Sequence, residues 1–261
     1  YAGSDDGNIW VTKDHGNSWI NISKGLPQNR WISSISPSQH AEGTVYVTLT
    51  GYRFDEFTPF VYKSQDYGKT WTQISANLPK EAINIVKEDH TNPNILYLGT
   101  DHGLYVSLNG GKSYDLFQGN IPNVAIYDMV IQKRENDLVI GSHGRSVFIA
   151  DLDPLQKLSQ NPAAEARLLS ASEIRLNQRR SPWAEAPTTK PNQSIMFFVN
   201  QAGETSFEVM NENGESLKSW SVDSTKGINS TSWEYGNIGK GKYKILIKKN
   251  SGADELAFEI K

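Results

Sequence analysis

Apolar residues in this chain come in short bursts closed by Gly, Thr, Ser or Pro, and between the bursts lie polar turns. Bursts this short, separated this way, predict β-strands. The runs "YAGSDDGNIWVTKDHGNSW", "VYVTLTGYRFDEFTPFVYKSQDYGKTW", "LYLGTDHGLYVSLNGGKSY" and "LVIGSHGRSVFIADL" repeat one plan: an apolar strand, a polar turn, a second strand and, in the first three, a polar octet ending in an aromatic ring. A short strand and a stop follow each octet, "GLP" at 25–27, "NLP" at 77–79 and "NIP" at 120–122. Proline ends a strand because it has no N–H for the ladder. One more apolar strand, "WISSIS", "AINIVKE" or "AIYDMVI", precedes the next copy, which makes four strands per unit. The copies begin near Tyr1, Val45, Leu96 and Leu138, at intervals of about 44, 51 and 42 residues, the period of a four-stranded propeller blade.

The octets are "TKDHGNSW" (12–19), "SQDYGKTW" (64–71) and "SLNGGKSY" (107–114). They share the frame Ser/Thr-x-Asp-x-Gly-x-Ser/Thr-Trp, with Asn109 for Asp and Tyr114 for Trp in the third. Their place predicts a hairpin turn between the third and fourth strands of a unit. Gly16, Gly68 and Gly111 supply a backbone position that other residues reach with difficulty. Asp14 and Asp66 accept hydrogen bonds from turn N–H groups, and Trp19 and Trp71 are expected to pack between neighbouring units. Carboxylates that recur once per unit read as structural rather than catalytic.

The octet resembles the Asp-box of sialidase-type propellers. The runs "PFVYKSQDYGKTWTQISANLP", "LYLGTDHGLYVSLNGGKSY" and "DLVIGSHGRSVFIADLDPLQ" resemble the sortilin-like propeller proteins common among exported bacterial proteins, many of them labelled glycosyl hydrolases. The resemblance covers residues 1 to 155 closely. It implies an all-β fold with residues 1–153 as the C-terminal part of a β-propeller, about three to four blades of a longer ring. One partial unit, two full ones and a three-stranded last unit cannot close a ring of about 4 to 8 blades. The missing blades, from the same protein or another chain, are therefore the first expected partner.

After Asp151 the repeat stops. Residues 154–192 hold five Pro and no sustained period, which predicts a connector with a short helix near Leu155–Ser159 and a strand at Ala166–Leu169. The pair of Arg in "NQRR" reads as solvated surface. From Ser194 period-two alternation returns in "SIMFFV", "TSFEVMN", "SLKSWSV", "INSTSWEY", "KYKILIK" and "ELAFEI", and "NG" at 213–214 signals a type I′ hairpin. Residues 193–261 are thus expected to form a small antiparallel β-sandwich. "KGINSTSWEYGNIGKGKYKILI" resembles the Ig-like C-terminal module of the same proteins.

Composition narrows the function classes. The chain has 261 residues and a formal charge of -3 with mixed signs, which gives nucleic acid or an anionic membrane no purchase. No apolar run approaches the ~18 residues of a membrane span, so no membrane insertion is expected. The absence of Cys excludes disulfides, Cys-ligated zinc and a Cys nucleophile, and leaves the compartment open. The chain opens at Tyr1 with no Met and no signal-like segment, which predicts a native N-terminus further upstream. The family resemblance implies an extracellular, cell-surface or periplasmic location.

In a four-stranded antiparallel blade the B–C and D–A turns share one face and the octets lie on the other. The face away from the octets carries "SDDG" (4–7), "TGYRFDEFTPF" (50–60), "TDHG" (100–103) and "SHGR" (142–145). The ligand-binding candidates there are Tyr52, Arg53, Asp55, Glu56, Asp101, His102, His143 and Arg145, with Asp5, Asp6, Phe54 and Phe57 beside them. No catalytic residue is assigned. Aromatic rings beside charges suit sugar rings and peptide side chains alike, while Phe54 and Phe57 could instead fold inward as a plug. The leading expectation is an exported recognition protein that binds a protein or glycan on this face. One alternative is a glycoside hydrolase, xyloglucanase- or sialidase-like, with its carboxylates partly on missing blades; another is a scaffold subunit of a cell-surface assembly. A zinc site at His102 and His143 would need both turns to converge with a carboxylate, and no metal or cofactor is expected.

Overall fold

Each apolar burst of the first 151 residues is a strand, and each pairs antiparallel with its neighbour in sequence. The computed structural model describes residues 1–117, 121–160, 164–172, 174, 192–236 and 238–260. The start of the third stop signal at 120, most of the expected connector and its "NQRR" run lie outside the described residues. The chain divides into two compact units, one of Tyr1–Phe117 and Ile121–Gln160, the other running from Asn161 to Lys261.

The first unit holds four antiparallel sheets. The first consists of β1 (Ala2–Gly3), β2 (Ile9–Val11) and β3 (Ile20–Asn21). The second runs β4 (Trp31–Pro37), β5 (Val45–Gly51), β6 (Glu56–Ser64) and β7 (Thr72–Gln73) in that order. The third runs β8 (Ile83–Glu88), β9 (Leu96–Thr100), β10 (Leu104–Ser107) and β11 (Asp115–Leu116). The fourth has β12 (Ile126–Gln132), β13 (Asp137–Ser142) and β14 (Val147–Asp151). The three octets are the turns β2–β3, β6–β7 and β10–β11, as their spacing predicts.

Neighbouring sheets pack face to face. Val45, Val47, Leu49, Phe60 and Tyr62 of the second sheet close on Ile9, Val11, Ile22 and Leu26 of the first. Tyr46 and Val61, on its opposite face, meet Ile83, Val86, Leu96, Leu98 and Tyr114. A strand covered on both faces cannot alternate, which is why β5 reads as the unbroken run "VYVTL".

Inside each octet one side chain organises the turn. Asp66 Oδ1 accepts from the Ser64 hydroxyl at 2.8 Å and the Thr70 N–H at 2.9 Å, and Oδ2 accepts from Thr70 Oγ1 at 2.7 Å. The Gly68 N–H closes the loop onto Ser64 Oγ at 2.8 Å. Asp14 repeats these bonds with Thr12 and Ser18, and Gly16 N–H bonds Thr12 Oγ1. Asn109 also keeps the network: its Oδ1 accepts from Ser107 Oγ and the Ser113 N–H, and its Nδ2 donates to Ser113 Oγ at 2.8 Å. A hydroxyl both donates and accepts, so Asn substitutes for Asp by reversing one bond.

After β14 the fourth unit has no octet. Helix α1 (Asp153–Gln160) takes its place and buries Leu155 and Leu158. It is longer at both ends than expected from sequence. Pro154 sits in the first turn, where a missing N–H costs nothing, and Gln156 Nε2 donates to the buried Asp89 at 3.0 Å.

The second unit is two antiparallel sheets over a shared core. One is β15 (Ala166–Ala171), β16 (Asn192–Val199) and β19 (Gly227–Glu234). The other is β18 (Ser216–Ser224), β17 (Gly203–Asn211), β20 (Gly241–Lys249) and β21 (Gly252–Ile260). Phe197 and Trp233 from the first meet Phe207, Val209, Ile245 and Ile247 from the second, and the Phe197 and Phe207 rings cross edge to face at 4.8 Å. All six strands expected from the alternation after Ser194 are present. The hairpin at "NG" differs from the type I′ expectation. Gly214 is left-handed at φ +80 and Asn213 is not. Asn211 holds the turn instead: its side chain accepts the Asn213 and Glu215 N–H groups at 3.0 and 2.9 Å. That geometry is a longer loop with a glycine bulge.

Because its bonds favour the charged form, Asp66 is held down at about 2, by the Thr70 hydroxyl first and then the Thr70 N–H. An unfolded Asp titrates near ~3.9, so this contribution is complete above pH ~4 and is lost as pH falls toward ~2. We predict that Asp66→Asn, which copies Asn109, melts somewhat below wild type at pH 7 and flattens this acid limb, whereas Asp66→Ala, which loses the turn bonds as well, melts clearly lower still. Equal melting temperatures for the two variants would contradict the bonding scheme.

Candidate functional site

The face away from the octets is built by one recurring link: each B–C turn, between the second and third strands of a repeat, bonds to the start of an inner strand, the first strand of a sheet (β4, β8 or β12). Ile32 N–H donates to Ser4 O at 3.2 Å, and His143 N–H donates to Ala125 O at 2.8 Å. Asn84 Nδ2 donates to Asp101 Oδ1 at 3.0 Å. The second sheet makes the same link with charged and aromatic side chains.

There the β5–β6 turn is lengthened. The ladder shifts between Leu49 and Gly51, Gly51 pairs with Glu56, and a single 3-10 turn (Tyr52–Phe54) fills the gap. Asp55 closes it in the left-handed region at φ +57, its N–H bonded to Tyr52 O at 3.1 Å. Arg30 lies beneath. Its Nε is 2.5 Å from Glu56 Oε2, its guanidinium is 4.8 Å from the Phe54 ring, and its Nη1 donates to Asn29 O at 3.0 Å. A Cβ on Gly51 would sit 2.9 Å from Glu56 Cβ and 3.1 Å from Arg30 Nε, so this position admits no side chain.

Above that base the turn shows rings and one cation to solvent. Tyr52 is 63% exposed, Phe54 55% and Phe57 40%, which rules out the inward plug for both Phe residues. Tyr52 and Phe57 meet edge to face at 6.3 Å. The Arg53 guanidinium lies 3.8 Å over the Trp31 ring. Stacking on an indole leaves the edge donors of a guanidinium free for a partner. Tyr52, Arg53 and Glu56 thus form one cluster with Arg30, Trp31, Phe54 and Phe57.

The other candidates fall into separate groups. His102 Nδ1 is 2.5 Å from the Oε2 of Glu81, a carboxylate that is itself buried. Burial, and then the charge of Glu81, push the neighbouring Tyr105 phenol up. His143 lies 5.4 Å from the Tyr127 ring, and Arg145 is exposed. Asp6 is held below the usual carboxylate range by the Ser4 hydroxyl first and then by Asn8. Among the described residues no group of three or more His, Asp or Glu is placed to hold a metal ion. A cleft of about 300 Å³, lined by Ile35, Lys87, Glu88, Val130 and Lys133 among others, lies at the opposite ends of the inner strands. Glu88 is committed there to Ser38, Gln39 and Tyr46.

Arg30, Trp31, Glu81 and Tyr127 escape a reading confined to B–C turns. The signal that finds them is the D–A turn, which shares their face: all four lie at or just before the start of an inner strand.

With this geometry in view, the likeness to known proteins becomes specific. The family model described as "Sortilin-Vps10: Sortilin, neurotensin receptor 3" matches residues 60–259. The chain belongs to the Sortilin-Vps10 family. Vacuolar protein sorting/targeting protein 10 of Laccaria bicolor is 30% identical over 105 residues, 38% of this chain and 6% of that protein. Among solved structures, the GH74 xyloglucanase of Xanthomonas campestris covers 75% of this chain at 14% identity and TM-score 0.47. The Niastella koreensis GH74 enzyme covers 98% at 13% identity and 0.44, and YCF48 bound to D1 peptide covers 98% at 12% and 0.39. All three scores lie below 0.5, too loose a likeness to place any residue. The chain spans only 30% and 43% of the two GH74 chains. No helix among the described residues is long and apolar enough to cross a membrane.

The Arg30–Glu56 pair is two-thirds or more buried on both sides, while Arg53 is exposed. Arg30→Ala leaves a half-buried carboxylate without its partner and should cost about 1–3 kcal/mol. Arg53→Ala should stay within ~0.5 kcal/mol. Urea titrations of both variants check this, and equal losses would contradict it.

Proposed function

We propose that the propeller unit of this Sortilin-Vps10 protein is a non-catalytic recognition module that binds a protein ligand on the face opposite the octets. The observation that carries the reading is the Tyr52–Phe57 turn. It exposes three aromatic rings around an Arg stacked on Trp31, over a base fixed by Arg30 and Glu56. Tyr, Trp and Arg in one patch are the residues that dominate protein recognition, and rings this exposed need a reason. The family's description names a receptor and the fungal relative's name a sorting function, which favours a protein ligand over a glycan. In this reading the protein is exported and residues 1–153 are part of a longer ring. Residues 154–192 connect it to an Ig-like module, 193–261, that acts as spacer or attachment. A scaffold role in a surface assembly would use the same face.

The glycoside hydrolase alternative has less support. A general acid needs a carboxyl raised toward neutrality, and Asp6 is shifted the other way. Asp101 and Glu56 are each engaged locally, by Asn84 and Arg30.

The test pairs Tyr52→Ala with Arg53→Ala and reads melting alongside retention on a peptide array and a glycan array. The expected result is peptide retention by the wild type, lost in the double variant at unchanged melting temperature. Glycan retention alone, peptide retention unaffected by the variant, or hydrolysis of xyloglucan would contradict the proposal.

A further inference from the structure

Asn is followed by Gly twice in the chain, at Asn109–Gly110 in the third octet and at Asn213–Gly214 in the β17–β18 turn. Such a pair carries its own chemistry. The glycine main-chain nitrogen attacks the carbonyl carbon of the asparagine side chain, so that a new C–N bond forms, the bond to the side-chain nitrogen breaks and ammonia leaves. The product is a succinimide ring. Water opens that ring at either carbonyl and gives aspartate or isoaspartate, in which the main chain runs through the former side chain. Asparagine is thermolabile for this reason, and glycine favours the attack because no Cβ hinders approach to its backbone.

Exposure does not separate the two sites, since both asparagines lie at the surface. Nor does the attacking nitrogen: Gly110 N–H donates to Asn94 O at 2.7 Å, and Gly214 N–H to Asn211 O at 3.0 Å. The side chains differ. To close the ring the Asn amide must swing onto the next nitrogen and give up its other bonds. Asn109 has three to lose, from Ser107 Oγ at 2.9 Å and Ser113 N–H at 3.0 Å to its Oδ1, and from its Nδ2 to Ser113 Oγ at 2.8 Å. The octet around it is anchored as well, with Gly111 pressed on Ile74 and the Tyr114 main chain bracketed by Asn77. Anchoring is not common to all octets: Trp71 donates to Ile22 O at 2.8 Å, whereas Trp19, expected to pack between sheets in the same way, is 45% exposed. Asn213 is held only by its main-chain N–H, at 3.0 Å from Asn211 Oδ1, and its side chain makes no hydrogen bond among the described residues. Gly214 has nothing within 4 Å of its would-be Cβ.

We propose that Asn213 is a modification site that converts without an enzyme to isoaspartate and aspartate in the folded chain, and that the octet network protects Asn109 from the same reaction. Water is the co-reactant and ammonia the leaving product. Isoaspartate at 213 lengthens by one main-chain atom the loop that Asn211 spans through the Asn213 and Glu215 N–H groups, and sets a new carboxylate between Glu212 and Glu215. The turn is loosened by both. At Asn109 the two products would have opposite effects: aspartate is the residue of the other octets at Asp14 and Asp66, while isoaspartate would displace a glycine that has no room to move on Ile74. Three net hydrogen bonds slow the reaction at Asn109 by about tenfold to a thousandfold. What binds the loop face has no bearing on this.

The test incubates the 261-residue chain at neutral pH in water labelled with heavy oxygen, folded and in urea, beside Asn213→Gln. Peptide mapping by mass spectrometry reads label uptake at each site and resolves isoaspartate from aspartate. Expected in the folded chain are label and isoaspartate at 213 and a conversion at 109 that is at least about tenfold slower. In urea the two rates converge. Asn213→Gln, whose longer amide closes a ring poorly, takes up no label at 213 and leaves Asn109 protected. Conversion at 109 as fast as at 213 in the folded chain would overturn the proposal, as would an Asn213 that converts only in urea. A difference that persists in urea would place the cause in the sequence and not in the fold, and would overturn it too.

Discussion

A glycine pressed against an isoleucine of the sheet before it is the contact on which the first unit depends. Gly68 on Ile22 and Gly111 on Ile74 bring the turn of one sheet so near the edge of the last that no side chain fits between. Everything else in the octet serves that approach. Asp66 accepts three bonds so that the turn keeps its left-handed glycine. Trp71 then fixes the spacing with one hydrogen bond to the carbonyl of the same Ile22. Where the ring is Tyr114, the hydroxyl is buried without a partner in the place where the indole N–H finds one. The third octet is fixed through its backbone instead: Asn77 accepts the Tyr114 N–H at 2.8 Å and donates to the Tyr114 carbonyl at 2.7 Å.

This packing also determines where chemistry can be. With the octets committed to holding sheets together, the opposite turns are left to vary, and one has lengthened. Its charges are split between two tasks. Arg30 and Glu56 lie part-buried under the turn as its base, and Arg53 and the rings are lifted out of it. Asp101 and His102 are drawn instead into bonds with Asn84 and Glu81. In the proposed reading it is the free rings of this face, not its engaged carboxylates, that meet a partner.

How much of this could be read from the chain follows from the range of each interaction. The octets were legible because the side-chain bonds that shape each turn fall within five residues, and the strands because alternation and apolar runs are local. The exposure of Trp19 was not legible, since its local sequence is that of Trp71 and only the absence of a neighbouring sheet separates them. Arg30 and Trp31 were missed for a related reason: they stand more than twenty residues from the turn they support, with no motif of their own. At "NG" the local signal pointed to one hairpin, and the Asn211 side chain, bonding the turn from its edge, selected another.

The central claim is that octet glycines are retained for contact with the preceding sheet and not merely for their backbone angle. Gly68→Ala and Gly16→Ala separate the two, because both sit near φ +90 while only Gly68 faces a packed side chain. Left-handed strain costs each variant about 1–2 kcal/mol; overpacking against Ile22 adds about 1–3 kcal/mol to Gly68→Ala alone. Thermal melting of the two variants of the 261-residue chain should show the larger loss for Gly68→Ala. Equal losses would mean that the glycines serve the turn only, and would contradict the account.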